Sequence, residues 1–153
     1  MSEFERSLVH SFNKFFKGES QIKGIAYRRK QSRFTQQVLD VLVDSPDLKF
    51  YLGIECKSIS IKKGANKLYF SQHFSNRQIE RTTFFLNKSG RKGYLAVEIK
   101  RGRGKSKKAY MIDWGIIEDR YSKNQKGLSI KEIKSVGKEI DRISGWYDIS
   151  SCF

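Results

Sequence analysis

The sequence is poor in cysteine and proline and has no long apolar run. Among its 153 residues there are only two cysteines, Cys56 and Cys152, and one proline. Two cysteines do not make a disulfide framework, so we expect a protein of the reducing cytoplasm, nucleoid-associated if it is cellular. No stretch approaches the roughly 20 apolar residues of a membrane span, and the first residues lack the basic and then apolar plan of a signal peptide. We therefore expect neither a membrane protein nor a secreted one.

Acidic residues are also scarce, since 16 Asp and Glu stand against 31 Lys and Arg, for a formal net charge of +15. Such a field attracts polyanions and gives salt-dependent, non-specific affinity. The alternatives are a charge that serves only solubility and a protein of a membrane surface. The basic residues cluster in predicted loops and not on one face of a long helix, which favours nucleic acid over a membrane. The clusters are Arg28, Arg29, Lys30 and Arg33, then Lys62 and Lys63, and the loop 100–108 with Arg101, Arg103 and Lys105.

With 38% apolar and 13% aromatic residues, the chain can close one hydrophobic core, and we expect a single domain over residues 1–153. Helices are predicted at 4–16, ended by Gly18, from Ser75 to Gly90, and from Ser129 to about Ile143. Strands are predicted at 24–28, 38–44, 49–58, 68–70, 94–99 and 109–114. This order indicates an α/β fold, a mixed β-sheet flanked by helices.

The start of the middle helix carries clear local signals. Ser75 and Gln78 fit a capping box, and Phe74 with Ile79 fits a hydrophobic staple. Gln78 therefore has a purely structural explanation.

Two carboxylates and an amine stand on the predicted hairpin 38–58. Asp40 interrupts the apolar run Val-Leu-Asp-Val-Leu-Val, and Glu55 and Lys57 share one face of the next strand. Cys56 lies between them and is predicted to point into the core. An ionised group in an apolar run is costly unless something such as a metal compensates it.

The hairpin register decides whether the two carboxylates meet. If the turn 45–48 pairs Asp44 with Lys49, Asp40 lies opposite Gly53 and diagonal to Glu55 on the same face. Gly53 would then leave room for a shared cation, whereas a one-residue slip would move Asp40 to the other face.

Each of these residues also has a structural alternative. Asp40 could be a charge at a strand edge, and Glu55 with Lys57 a solvated pair on an exposed face. Asp44 and Asp47 are rival acids, but their position beside Ser45-Pro46 is typical of a turn.

The arrangement of Asp40 followed by Glu55-x-Lys57, on a hairpin after a helix, resembles the PD-(D/E)xK nuclease superfamily. Within it, the chain resembles the small homodimeric Holliday junction resolvases over about residues 1–114. Phe-Glu5-Arg-Ser-Leu-Val resembles the N-terminal helix of the archaeal enzymes, and Ile-Glu55-Cys-Lys57-Ser resembles their I-E-V-K-S strand. Phe-Ser-Asn-Arg-Gln78-Ile resembles the H-x-x-Q-I segment of the bacterial resolvases of the RecU type.

This resemblance implies a restriction-endonuclease-like core and a Mg²⁺-dependent, structure-selective DNA endonuclease. It implies that Asp40 and Glu55 bind Mg²⁺, for which Mn²⁺ can substitute, with the backbone carbonyl of Cys56 as a third ligand. Lys57 would orient or activate the attacking water and steady the charge on phosphorus.

The resemblance also implies roles outside this trio. Glu5 would complete the metal shell or the groups around it, and Gln78 would position Lys57 or the scissile phosphate. Ser32 and Arg33 fall in the loop where the archaeal enzymes place residues near the cut strand. The basic clusters would hold the backbones of branched or duplex DNA without sequence readout.

Two other functions remain open. One is a related nuclease with another role, such as a nickase, a restriction-like enzyme or a viral DNA-processing enzyme. The other is a non-catalytic nucleic-acid-binding protein.

The aromatic residues leave the expected homodimer open as well. They exceed what one helix face and one strand need, so some could line a dimer interface or else complete the core of the monomer. The residues concerned are Phe15, Phe16, Phe84, Phe85 and Trp114.

Overall fold

The computed structural model describes residues 2–18, 20–28, 38–61 and 64–153. Its helices are α1 (Glu3–Lys17), α2 (Phe70–His73), α3 (Gln78–Ser89), α4 (Trp114–Ser122) and α5 (Ile130–Val136). Its strands are β1 (Ile25–Arg28), β2 (Val41–Asp44), β3 (Leu52–Ser60), β4 (Lys67–Tyr69), β5 (Lys92–Lys100), β6 (Lys108–Asp113), β7 (Gly127–Ser129), β8 (Lys138–Glu139), β9 (Arg142–Ile143) and β10 (Trp146–Tyr147). No helix in the described ranges is long and apolar enough to cross a membrane.

A six-stranded mixed sheet in the order β1-β2-β3-β5-β6-β8 forms the centre of the fold. β3 and β5 are parallel, and the other neighbours in this sheet are antiparallel. The parallel pair needs a crossover, which the segment with α2 and α3 supplies. Two two-stranded sheets, β4 with β7 and β9 with β10, stand apart from it. The predicted mixed sheet flanked by helices is confirmed.

Helices cover the two faces of the sheet and bury two clusters of apolar side chains. The predicted first helix is confirmed as α1, which Ser2 caps by accepting from the N–H of Glu5 and which ends at Gly18. Its Leu8 and Phe12 pack with Ile54 against one face. The other cluster contains residues of α3, α4 and α5 together with Leu39 and Leu95. β3 therefore runs between two apolar layers, so any carboxylate on it is forced into a dry environment.

The register of the central hairpin differs from the prediction by two residues. Val41 pairs with Ile54 and Leu42 with Gly53, whereas the sequence placed Asp40 opposite Gly53. The connection is longer than expected, because Leu48–Phe50 forms a short 3₁₀ helix and β3 begins only at Leu52. An even shift leaves each side chain on its predicted face.

The prediction that Gly53 leaves room for a cation is wrong. A Cβ at this position would lie 2.5 Å from Cδ1 of Leu39 and 3.0 Å from Cδ2 of Leu86. Because Gly53 has no side chain, Leu39 and Leu86 of the core fill this space, and no room is left for a cation.

The helix predicted from Ser129 to about Ile143 begins as predicted, with Ser129 as its N-cap, but its predicted end is wrong, because α5 ends at Val136. A Cβ on Gly137 would lie 2.8 Å from the carbonyl oxygen of Ile133, so glycine lets the chain turn away there. Ile140 is buried, but it lies outside the helix, directly after β8. Its N–H donates a hydrogen bond to the carbonyl oxygen of Ala109 at 2.8 Å. Helix α4, which Asp113 caps by accepting from the N–H of Gly115, was not predicted.

Candidate active site

Asp40 and Glu55 come together at the centre of the sheet. Asp40 directly precedes β2, and its N–H donates to the carbonyl of Ile54 at 3.1 Å. Its Oδ2 accepts a hydrogen bond from the N–H of Cys56 at 2.8 Å. The carboxyl groups of Asp40 and Glu55 lie within hydrogen-bonding reach of each other. The structure thus brings together the two acids that the sequence placed on one face.

Burial makes this carboxylate pair hold a proton. Only 2% of Glu55 is exposed. This burial, and then the negative charge of Asp40, raise the pKa of Glu55 to about 8, against the pull of Lys57. Burial also raises the pKa of Asp40, although the hydrogen bond from Cys56 opposes the shift. Two close carboxylates cannot both ionise cheaply, so at neutral pH the pair shares a proton unless a cation replaces it.

The two oxygens of Glu55 have different surroundings. Oε1 lies 3.3 Å from Nζ of Lys57 and accepts a hydrogen bond from Nε2 of Gln78 at 3.1 Å. Oε2 is buried and has no hydrogen-bond partner among the described residues. A buried polar atom without a partner is costly, so this oxygen is available to bind a proton or a cation.

These groups fit a small, hard divalent cation. Mg²⁺ prefers oxygen ligands, keeps several waters and is commonly held by one or two carboxylates. Asp40 and Glu55 provide such a pair, with the main chain of Cys56 beside them. Within the described ranges, no group of three or more His, Cys, Asp or Glu side chains is arranged to hold a metal. Water and substrate would therefore have to complete the shell.

Glu5 approaches the pair from α1 but has its own partner. Its Oε2 accepts from Nε and Nη2 of Arg28 at 3.1 and 3.0 Å. Its negative charge nevertheless contributes to the raised pKa of Asp40. The predicted role of Glu5 at a metal stays a prediction. Arg28, which was predicted to bind DNA, is paired with Glu5.

Gln78 is placed by the fold against Glu55, not against Lys57. Its Oε1 accepts from the N–H of Ser75 at 2.9 Å, which is one half of the predicted capping box. The other half is missing, because Arg77 adopts a left-handed conformation with φ of 60° and α3 begins only at Gln78. The amide nitrogen is thereby free to reach β3.

No protein family model matches the chain, and no curated protein matches its sequence. Its structure matches that of Hjc, a Holliday junction resolvase from the archaeal hyperthermophile Archaeoglobus fulgidus, with a TM-score of 0.58. The match covers 88% of this chain and 91% of that chain at 19% sequence identity. The chain has the fold of an archaeal Holliday junction resolvase. The predicted fold, with a restriction-endonuclease-like core, is confirmed, and the structural match extends beyond residues 1–114.

Two neighbours of the candidate site were not predicted from the sequence. The ring centroid of Phe74 lies 4.8 Å from Nζ of Lys57, so its π-face contacts the ammonium. Burial and then the charge of Lys57 lower the pKa of His73, which places this imidazole near the same amine. The sequence assigned Phe74 only to a staple, since nothing in the local pattern shows that residues 73 and 74 return to β3.

The rival acids have structural roles. Asp44 forms an ion pair with Arg91 at 2.8 Å and accepts from the hydroxyl of Tyr27. Asp47 accepts from the N–H of Lys49 and caps the 3₁₀ helix, so only Asp47 has the predicted role in the turn.

The predicted DNA-binding residues are only partly described. Arg103 and Lys105 are exposed in the connection between β5 and β6. Arg101 braces this connection by donating to the carbonyl and hydroxyl oxygens of Ser106 at 2.7 and 2.8 Å. The predictions on Arg29, Lys30, Ser32, Arg33, Lys62 and Lys63 fall outside the described residues.

Proposed function

We propose that the protein is a Mg²⁺-dependent endonuclease that cuts branched DNA, acting as a homodimeric Holliday junction resolvase. The observation that supports this best is the buried pair of Asp40 and Glu55, next to Lys57, in a resolvase fold. A structural protein gains little from two adjacent buried carboxylates, because burying such a pair without a cation costs free energy.

The site offers distinct groups for phosphodiester hydrolysis. Asp40 and Glu55 would hold the cation, which supplies positive charge to the phosphate oxygens and makes a water nucleophilic at neutral pH. Lys57 lies between Glu55 and the ring of Phe74. Its ammonium would orient the water and stabilise the negative charge that builds up on the phosphate. Gln78 holds the Glu55 carboxylate in position.

Charge supports DNA as the substrate. The formal net charge of +15 draws a polyanion to the protein from solution. Arg103 and Lys105 are exposed and suited to phosphate contacts, which position DNA without reading its sequence.

The proposed dimer follows from the two cuts that the proposed reaction needs. Resolution of a four-way junction requires two cuts in strands of like polarity, whereas the described part of one chain brings together a single pair of candidate catalytic acids, Asp40 and Glu55. A closed C₂ dimer is the simplest way to place two such sites on one junction.

The experiment that tests this function compares three DNAs: a four-way junction, a nicked duplex and a linear duplex, each with Mg²⁺ and with EDTA. We expect paired cuts in the junction that require Mg²⁺ and that Asp40→Asn abolishes. Asp119→Asn is the matched control, because Asp119 is exposed and pairs only with Lys123 among the described residues. Cleavage of the plain duplex would favour a restriction-like or nickase role, and binding without cleavage would favour a non-catalytic protein.

A further inference from the structure

A cavity of about 710 Å³ opens between the residues preceding α3 and the connection from α4 to β7. Its volume is that of a small-ligand site, for which roughly 300–1,000 Å³ is typical. Two of its lining residues also contact the candidate active site. Gln78 donates to Glu55, and the ring of Phe74 lies 4.8 Å from Nζ of Lys57. The cavity and the active site therefore share a wall.

The lining combines aromatic rings with side-chain amides. Tyr69 is 36% exposed and Tyr121 is 38% exposed, so both rings are accessible. Aromatic faces stack on nucleobases of any identity. Each amide both donates and accepts hydrogen bonds, as the edges of nucleobases do. The amides that line the cavity, besides that of Gln78, belong to Asn76, Asn124 and Gln125.

The charge of the lining is positive. Arg77 and Lys126 contribute to it, and none of the lining residues, all of which are described, is acidic. Glu80, in the first turn of α3, accepts hydrogen bonds from Arg77 at 3.2 Å and from the hydroxyl of Tyr121 at 2.9 Å. Cations at the mouth suit the phosphates on either side of an inserted base.

We propose that this cavity receives one unstacked nucleobase of the DNA, next to the phosphate that is cut. The proposal rests on the proposed nuclease function, since it identifies the cavity as part of the substrate site. Unstacking costs least where pairing is already interrupted, so the branch point of a junction supplies such a base more cheaply than a duplex does. Gln78 lines the cavity and also donates a hydrogen bond to Glu55. A base in the cavity would therefore help to hold the Glu55 carboxylate in place.

The test measures binding to a synthetic four-way junction by the Asp40→Asn variant, which keeps the DNA intact. In this background, Tyr69 and Tyr121 are both changed to Ala. We expect binding to the intact junction to weaken on the order of tenfold for one lost stack. The Asp40→Asn parent and its derivative with both tyrosines changed to Ala are then compared on junctions that carry a single abasic site at successive positions near the branch point. At the position of the inserted base, the effect of the Ala substitutions should vanish.

The matched control replaces both tyrosines by Phe. Tyr121→Phe removes the hydroxyl that donates to Glu80 but keeps the ring. We expect the Phe variant to bind within about twofold of the parent and to retain its sensitivity to the abasic site. An equal loss for Phe and Ala, or an Ala effect that is the same on every abasic junction, would overturn the proposal.

Cleavage by the wild type separates this proposal from the proposed function. Mg²⁺-dependent cleavage without any coupling between the tyrosines and an abasic position would overturn the base site and leave the nuclease intact. Coupling in the binding experiment, with no cleavage of any DNA by the wild type, would support the base site and overturn the nuclease.

Discussion

The side-chain amide of Gln78 joins the start of α3 to the Glu55 carboxylate on β3, with Nε2 at 3.1 Å from Oε1. Its carbonyl end accepts from the N–H of Ser75 at 2.9 Å, so both ends of the amide are used. Lys57 approaches the same Oε1 atom at 3.3 Å. The second oxygen, Oε2, is thereby left for a proton or a cation.

Gln78→Ala should lower the rate of cleavage and the affinity for Mg²⁺ by about 10- to 100-fold, the usual effect of losing a group that orients a metal ligand. Single-turnover cleavage across a Mg²⁺ titration measures both quantities. Gln72→Ala is the control, because Gln72 is an exposed glutamine of α2. Equal activity of the Gln78 variant and the wild type at limiting Mg²⁺ would show that the hydrogen bond only caps the helix.

Glu55→Gln should change how stability depends on pH in metal-free buffer. The pKa of Glu55 is about 8 in the folded state against 4.5 for an ordinary Glu, so between these values the folded state holds a proton that the unfolded chain has released. Stability of the wild type therefore falls as pH rises through this window, by up to about 1.4 kcal/mol per pH unit. The Gln variant lacks this titration, so its advantage in Tm should grow from pH 5 to pH 8.

The matched control for this measurement is Glu118→Gln, since Glu118 is exposed on α4. Its Tm should follow that of the wild type at every pH. Mg²⁺ should raise the Tm of the wild type, because a ligand that binds only the folded state stabilises it, and should do so far less for Glu55→Gln. A difference in Tm between Glu55→Gln and wild type that does not vary with pH would contradict the raised pKa.

The acids of the site could be predicted because strand alternation is robust to small errors. The sequence placed Asp40 opposite Gly53, and the true register is shifted by two residues. An even shift preserves the face, so Asp40 and Glu55 still meet, although the turn was wrong. The 3₁₀ helix at Leu48–Phe50, which causes the shift, depends on how Phe50 packs in the core and could not be read from the local pattern.

The parts that the sequence missed depend on contacts between distant segments. Phe74 lies beside Lys57 only because the chain from β4 to α3 folds back onto β3. The apolar spacing after Ser129 continues past Gly137, but α5 stops there and Ile140 reaches the core from an extended segment. The spacing of apolar residues indicates only which side chains are buried. It therefore cannot distinguish a short helix followed by a buried non-helical residue from one longer helix.

Lys57→Ala should lower the cleavage rate by several orders of magnitude while junction binding changes little. The Lys57 side chain is 16% exposed, and its ammonium contacts Glu55 and Phe74. In the proposed mechanism it would stabilise charge that appears mainly in the transition state. Lys57→Arg is the control that keeps the charge, and we expect it to retain part of the activity. Binding and single-turnover rates are measured separately, and a loss confined to binding would assign Lys57 to phosphate contact alone.

Arg103→Ser combined with Lys105→Ser should weaken DNA binding equally across sequences. Both residues are exposed in the connection between β5 and β6. The slope of log K against log salt should become less steep by roughly 0.9 for each phosphate contact that is lost. Lys49→Ser is the control, because Lys49 is exposed in the 3₁₀ helix Leu48–Phe50 and does not line the cavity beside α3. A slope unchanged by the double substitution would show that this loop does not touch DNA.

The protein should be a dimer at micromolar concentration, with a mass by light scattering of twice 17.9 kDa. Of the aromatic residues predicted either to line an interface or to fill the core, Trp114 is buried, whereas Phe84 is 65% exposed on α3. Exposed aromatic side chains are enriched at interfaces, so Phe84→Ser should shift the equilibrium toward monomer. It should also turn paired junction cuts into single nicks, because a monomer brings only one pair of acids to the DNA.

Leu48→Ser is the matched control, since Leu48 is 79% exposed and not aromatic. A wild type that stays monomeric on a junction would eliminate the resolvase and favour a nickase.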